Sequence, residues 1–158
     1  MIDTREFRDA LGQFATGVCV VTVTAPDGTP IGMTVNSFAS VSLEPPLVLW
    51  SIQNNSECRE AFSNSDSFVI NVLAEDQQAL SNQYATRNEH DLKEGQFTVS
   101  ERGNALLNDA LVSFECKVWA RYPGGDHEIL VGEVVAQQLN ANDPLLFFGG
   151  KYGALAQQ

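Results

Sequence analysis

Two short acidic triplets hold the only histidines of this 158-residue chain, Glu89-His90-Asp91 and Asp126-His127-Glu128. A histidine flanked by carboxylates suits metal ligation or proton transfer. In an extended strand, however, adjacent side chains point to opposite faces, so neither triplet alone can close around one ion. No metal site is expected. His90 falls in a polar stretch and reads as a solvated loop residue. His127 follows the turn signal Pro123-Gly124-Gly125-Asp126 and opens an alternating apolar run, which fits either hairpin filling or a ligand contact.

Two further stretches carry polar side chains in a useful pattern. In "GMTVNSFASVSLEPPL", residues 32–47, Thr34 and Asn36 share one strand face while Met33 and Val35 take the other. Thr34, Asn36 and Ser37 are neutral hydrogen-bonding groups near a bend. They suit a heterocycle with alternating donors and acceptors, and they equally suit a polar strand end that serves its own turn. In "NNSECR", residues 54–59, Asn54 or Ser56 could cap a helix whose free N–H groups hold a phosphate, with Arg59 adding charge. The plain alternative is a capped short helix. GxSxG, HExxH and P-loop patterns are all absent from the sequence.

The elements that must position these groups are mostly strands. Asp3 or Thr4 can cap a helix with Phe7, Leu11 and Phe14 on one face, ending at Gly17. "VCVVTVTAPDGTPIGMTVNSF" reads as two β-branched strands around a Pro-Asp-Gly turn. "PPLVLWSI" is apolar enough to be buried on both faces. "SFVINVL" is a further strand, and "AEDQQALSNQYA" a helix with Leu80 and Tyr84 four apart. Residues 86–103 read as a polar excursion. Two long strands, "ALVSFECKVWARY" and "HEILVGEVVAQQL", flank the Pro-Gly-Gly-Asp turn, and "PLLFF" closes the series. Six or more strands with short helices at the joints predict a mainly β fold, a closed antiparallel barrel, in a single domain over residues 1–158. Without βαβ alternation or GxGxxG, a Rossmann domain is not expected.

Composition narrows the partners. A net charge of −11 with only nine basic residues repels nucleic acid and anionic lipid, so neither is an expected partner. No apolar run approaches the roughly 18–20 residues of a membrane span. Cys19, Cys58 and Cys116 are odd in number and widely spaced, which fits a reduced, cytoplasmic protein with buried thiols.

Taken in order, "FATGVCVVT", "GMTVNSFASVSLEPPLVL", "NNSECREAF", "FVINVL", "LSNQYA", "GDHEILVGEV" and "PLLFFGGKYG" resemble the flavin reductase-like family over residues 7–155. These are small NAD(P)H:flavin oxidoreductases that partner two-component flavin monooxygenases. The resemblance implies an FMN-binding split β-barrel, antiparallel and Greek-key-like with short flanking helices, working as a homodimer. It implies hydride transfer from NADH or NADPH to FMN or FAD with no catalytic side chain. The absence of a basic cluster favours NADH. Reduced flavin would then pass to a partner monooxygenase. By the same resemblance Thr34, Asn36, Ser37 and Phe38 line the flavin ring, Ser51, Asn54 and Ser56 serve the ribityl chain and phosphate, and His127 meets the nicotinamide. Tyr152 is a further ligand contact, preceded by Lys151 where an arginine is common. A non-catalytic flavin-binding protein and an oxidase of the pyridoxamine-phosphate type are the alternatives, the latter calling for more Arg and Lys than this chain has.

Overall fold

The computed structural model describes residues 1–157. In chain order the elements are α1 (Thr4–Leu11), β1 (Thr16–Gly17), β2 (Cys19–Thr24), β3 (Pro30–Val35), β4 (Ala39–Ser42), β5 (Leu47–Gln53), α2 (Arg59–Ser63) and β6 (Ser67–Val72). A 3-10 turn (Glu75–Gln77) leads into α3 (Gln78–Tyr84), followed by β7 (Phe97–Val99), β8 (Ala105–Leu107), β9 (Val112–Gly124), β10 (His127–Leu139), β11 (Leu146–Phe148) and β12 (Lys151–Gly153). The fold is mainly β, with antiparallel pairing in its ladders.

The main sheet has seven strands in the order β3-β2-β6-β9-β10-β5-β4. Its two edges, β3 and β4, are neighbours in sequence, joined only by residues 36–38. Laid flat, six inter-strand gaps of about 4.8 Å would separate those edges by about 29 Å. Four residue steps of about 3.6 Å reach only about 14 Å. The sheet therefore curls until its edges approach, and residues 36–38 cross the seam. Among the described residues no ladder joins β3 to β4, so the sheet is curled but open, unlike the closed ring of strands that the sequence predicts.

Inside the curl lies the main core. Val21 and Val23 of β2, Val48, Trp50 and Ile52 of β5, Phe68 and Ile70 of β6, Cys116 of β9 and Leu130 of β10 meet Phe62 of α2. Trp50 sits edge-on to Phe62 at 4.8 Å and to Phe68 at 5.8 Å between ring centroids. A second core forms outside the sheet, where Val18 and Val20 meet Leu73, Tyr84, Leu92, Leu107 and Leu145. Hence β2 is buried on both faces. The nearly continuous apolar run of β5 is not, because Leu47, Leu49 and Ser51 are only half-buried. Fully buried Asn71 links the strands across this second layer. Its amide donates to the Val20 carbonyl (2.9 Å) and its oxygen accepts from the Leu107 N–H (3.0 Å) and the Ser113 hydroxyl (2.7 Å).

Three local expectations are corrected. Helix α1 is capped by the Asp3 carboxylate but ends at Gly12, five residues before Gly17, and its apolar face is uncovered. The "NNSECREAF" helix begins only at Arg59, with Cys58 at its N-cap position and no side-chain cap, so neither Asn54 nor Ser56 caps it. Ser56 instead accepts the Cys58 N–H at 3.1 Å within the preceding turn. The polar excursion contains β7, which pairs with β8. Three-residue strands are too short for alternation to show.

Candidate functional site

A cleft of about 560 Å³ opens beside the seam. One wall is the end of β3 and the link after it, Met33 to Ser37. The facing wall is Ser51 and Gln53 of β5. Asn55, Ser56 and Glu57 close one end, with Ala85, Arg87 and His90 beside them, and His127 stands at the start of β10. Six of the nine residues predicted from sequence thus share one cavity: Thr34, Asn36, Ser37, Ser51, Ser56 and His127.

The wall is held by its own hydroxyls. Thr34 donates to the Ser81 carbonyl of α3 at 2.7 Å. Ser37 accepts the Ser51 N–H at 3.0 Å and lies 3.3 Å from the Ser51 carbonyl, tying the seam link to β5. Asn36 is exposed and lines the cleft. The donor set along this wall is neutral, whereas the far end carries Arg87 and His90 around one carboxylate, Glu57.

The other three predicted residues lie outside the cleft lining. Phe38 turns toward the core and stacks on Phe114 at 5.9 Å. Asn54 lines a small neighbouring hollow with Gln53, Asn55 and Asp126. Tyr152 packs against Phe147, and its hydroxyl meets Ser81 Oγ at 2.6 Å and Asn82 Oδ1 at 3.2 Å, behind Thr34.

The two histidines differ in environment. His127 Nδ1 lies 2.6 Å from Asp126 Oδ1, and this hydrogen bond together with the His127 charge holds the Asp126 carboxyl below the usual carboxylate range. Nδ1 therefore donates to its own neighbour, and Nε2 remains for a ligand. His90 is not the solvated loop residue expected from sequence. Its Nδ1 lies 2.9 Å from the Gly32 carbonyl and its Nε2 lies 2.7 Å from Glu57 Oε1, with the side chain only 16% exposed. Both ring nitrogens thus face oxygen atoms of distant segments. Glu57 also accepts the Asn88 N–H at 2.6 Å, and Arg87 Nε stands 3.9 Å away. His90, Glu57 and Arg87 line the cleft without being among the residues that the sequence assigns to it. Glu57 lies 33 positions before His90, and no spacing rule links them.

Cys58, next to Ser56, is not a nucleophile. Burial, aided by the Glu57 charge and opposed by the Ser56 hydrogen bond, pushes its thiol up to about 12. Among the described residues no three of His, Cys, Asp and Glu converge as a metal site, and no helix is long and apolar enough to cross a membrane.

Residues 11–156 match the family model described as a flavin reductase like domain. The FMN reductase (NADH) SmoA of Agrobacterium fabrum is 47% identical over 156 residues, covering 99% of this chain and 88% of that protein. The reductase subunit HsaB of a flavin-dependent monooxygenase from Rhodococcus jostii is 39% identical, covering 96% and 77%. The NADH:FAD oxidoreductase SgcE6 of Streptomyces globisporus, solved with NAD and FAD fragments, superimposes with a TM-score of 0.91 at 34% identity, covering 98% of this chain and 93% of that one.

Proposed function

The chain belongs to the flavin reductase-like family, and from that membership and the cleft we propose how it works. It is an NAD(P)H:flavin oxidoreductase that supplies reduced flavin to a partner monooxygenase. The carrying observation is the cleft itself, which gathers Thr34–Ser37, Ser51, Ser56 and His127 from segments far apart in sequence.

The residues present fit a flavin. A cleft of about 560 Å³ lies within the usual size of cofactor pockets. Its neutral wall matches a ring with alternating donors and acceptors, and Ser56 with Arg87 matches a phosphate at the other end. We assign ring contact to Thr34, Asn36 and Ser37, and the ribityl and phosphate end to Ser51 and Ser56. Phe38 and Tyr152 support that wall from behind. His127 is assigned to the nicotinamide, with Asp126 fixing its tautomer so that Nε2 faces the ligand.

When bound, the reduced nicotinamide supplies a hydride from C4 and the flavin ring accepts it at N5. The protein's part is orientation. The Ser37–Ser51 and Thr34–Ser81 bonds fix the wall before ligand arrives, so little is lost in ordering it. His127 would hold the second ring against the first.

Three further assignments go with this reading. The curled sheet is an FMN-binding split β-barrel, and residues 1–158 act as one unit. The working form is a homodimer, supported by α1 and the turn after it, where Phe7, Leu11 and Phe14 are 51%, 59% and 79% exposed. Leu11, Phe14 and Phe147 line a groove of about 840 Å³ that shares Asn36 with the cleft. A second copy over that groove would complete the site. The three free thiols support a reducing, cytoplasmic setting.

The test is anaerobic mixing of the protein with NADH or NADPH and excess FMN or FAD, following bleaching of the visible flavin band. Bleaching well above the protein-free rate is expected, faster with NADH. Flavin binding with no bleaching by either nucleotide would refute the reductase reading and leave a flavin-binding protein.

A further inference from the structure

His127 sits between two anchors that lead to the same arginine. Residues adjacent on a strand face opposite ways, so with His127 on the cleft its neighbour Glu128 turns toward α2. There Glu128 Oε2 lies 3.2 Å from Arg59 Nη2, and Oε1 lies 3.6 Å from Arg121 Nη1. Arg121 in turn donates from Nη2 to the Phe62 and Ser65 carbonyls, at 2.8 and 3.0 Å, at the end of α2. On the other side of His127, the Asn54 amide donates to the Gly125 carbonyl at 3.2 Å, and the Asn54 backbone N–H donates to the Asp126 carbonyl at 2.9 Å. Asn54 Oδ1 closes the circuit by accepting Arg59 Nη1 at 2.8 Å.

We propose that Asn54, Arg59 and Glu128 form a strut that positions His127 over the cleft, so that Asn54 acts on nicotinamide docking through His127 and not by touching the flavin. The circuit runs from Gly125 and Asp126 through Asn54 and Arg59 to Glu128, and His127 is the residue it encloses. It also ties the turn bearing His127 to the loop bearing Ser56, both of which line the cleft. Stability alone does not explain it. Arg59 Nε, Arg121 Nη1 and Glu128 Oε1 are buried without a hydrogen-bond partner, and ion pairs so imperfectly satisfied stabilise little. What the arrangement does determine is the direction in which residues 125–128 present the imidazole.

This inference rests on the assignment of His127 to the nicotinamide, and its test separates the two. Asn54 is exposed, so Asn54→Ala is expected to fold. In steady-state assays with NADH and FMN it should raise the nicotinamide KM by roughly threefold to tenfold. The FMN dissociation constant, read by fluorescence quenching, should change less than about twofold. In a His127→Ala background the same substitution should leave the nicotinamide KM unchanged, because its route of action is gone. A second readout needs no nucleotide. With only two histidines in the chain, the His127 ring resonances can be assigned by comparison with His90→Asn, and Asn54→Ala should shift or broaden them. Additive KM effects in the double variant, a weakened FMN affinity in place of a raised KM, or unmoved His127 resonances would each overturn the strut. If His127→Ala itself leaves the nicotinamide KM unchanged, the assignment of His127 fails, and the resonances alone decide whether the strut stands.

Discussion

The glycine of the "VGEV" motif tests the packing argument most sharply. Gly132 lies in β10 opposite Val48 and Val118, at a register shift in the β9–β10 pairing. A Cβ built on it would stand 2.6 Å from Phe68 Cζ and 2.9 Å from Cys116 Cβ. Ordinary carbon contacts begin near 3.5 Å, so the Phe68 ring must retreat by about 1 Å. It has nowhere to go: Phe68 is itself 1% exposed and edge-on to Trp50, which packs in turn on Phe62. Overpacking of this kind costs about 1–3 kcal/mol. Removing a glycine from the unfolded chain returns about 0.4–1 kcal/mol. Gly132→Ala should therefore lose about 1–2 kcal/mol net.

With a urea m-value of about 1–3 kcal/mol/M, that loss lowers the midpoint by about 1 M. Urea melts followed by tryptophan fluorescence read it directly, and the emission of buried Trp50 should shift in the native baseline. Gly17→Ala is the control. Gly17 belongs to the "TGV" motif, yet nothing lies within 4 Å of the place a Cβ would occupy there, so its midpoint should stay level or rise slightly. A Gly132→Ala midpoint equal to or above the parent's, with unmoved Trp50 emission, would refute the packing account of this motif.

Two other outcomes follow from buried groups. Asn71→Asp should destabilise by about 3 kcal/mol or more, because a carboxylate cannot donate to the Val20 carbonyl. Thr22 offers no rescue, since its hydroxyl proton is already given to the Ala105 carbonyl at 2.7 Å. Thermal melts should show the variant recovering as pH falls, when the protonated carboxyl can donate again; a pH-independent Tm would refute this. Burial pushes the Cys19 thiol up to about 12, above its ordinary value near 9. Stability from that raised value is fully present below pH 9 and is lost as pH rises toward 12, where only the unfolded chain has released the proton at first. Cys19→Ala should therefore lose stability less steeply than the parent between pH 9 and 11, by about 1 kcal/mol per pH unit. Parallel slopes in urea melts would refute the assignment.

What the sequence discloses depends on how local each interaction is. The β9–β10 hairpin is legible because alternation and a Pro-Gly-Gly-Asp turn act within a few residues, and Gly125 does adopt the positive φ that the turn needs. The β2–β3 pair is legible for the same reason. The curl is not, since it follows from β3 and β4 lying at opposite edges of one sheet, a fact about strand order. Helix α1 and the turn after it carry an apolar stripe, but the sequence says nothing of what covers Phe7, Leu11 and Phe14. Residues 90–92 read as loop because their pairing partner is the distant edge of β3, where Gly32 donates to the His90 carbonyl and Leu92 to that of Pro30.

The two histidine triplets show the same limit from inside the site. Both place carboxylates beside an imidazole, yet only His127 bonds to its neighbour, whereas His90 reaches across to Glu57. The polar wall has a parallel lesson. Thr34 and Ser37 line the cleft, but their hydroxyls already serve Ser81 and Ser51. A ring laid against that wall meets groups fixed in position and partly satisfied before it arrives. On the proposed reading such a surface would recognise a flat heterocycle chiefly through its shape and its edge, with Asn36, which lines the cleft, offering a side-chain amide. That is the chemistry expected where two cofactors react with each other and the protein only holds them face to face.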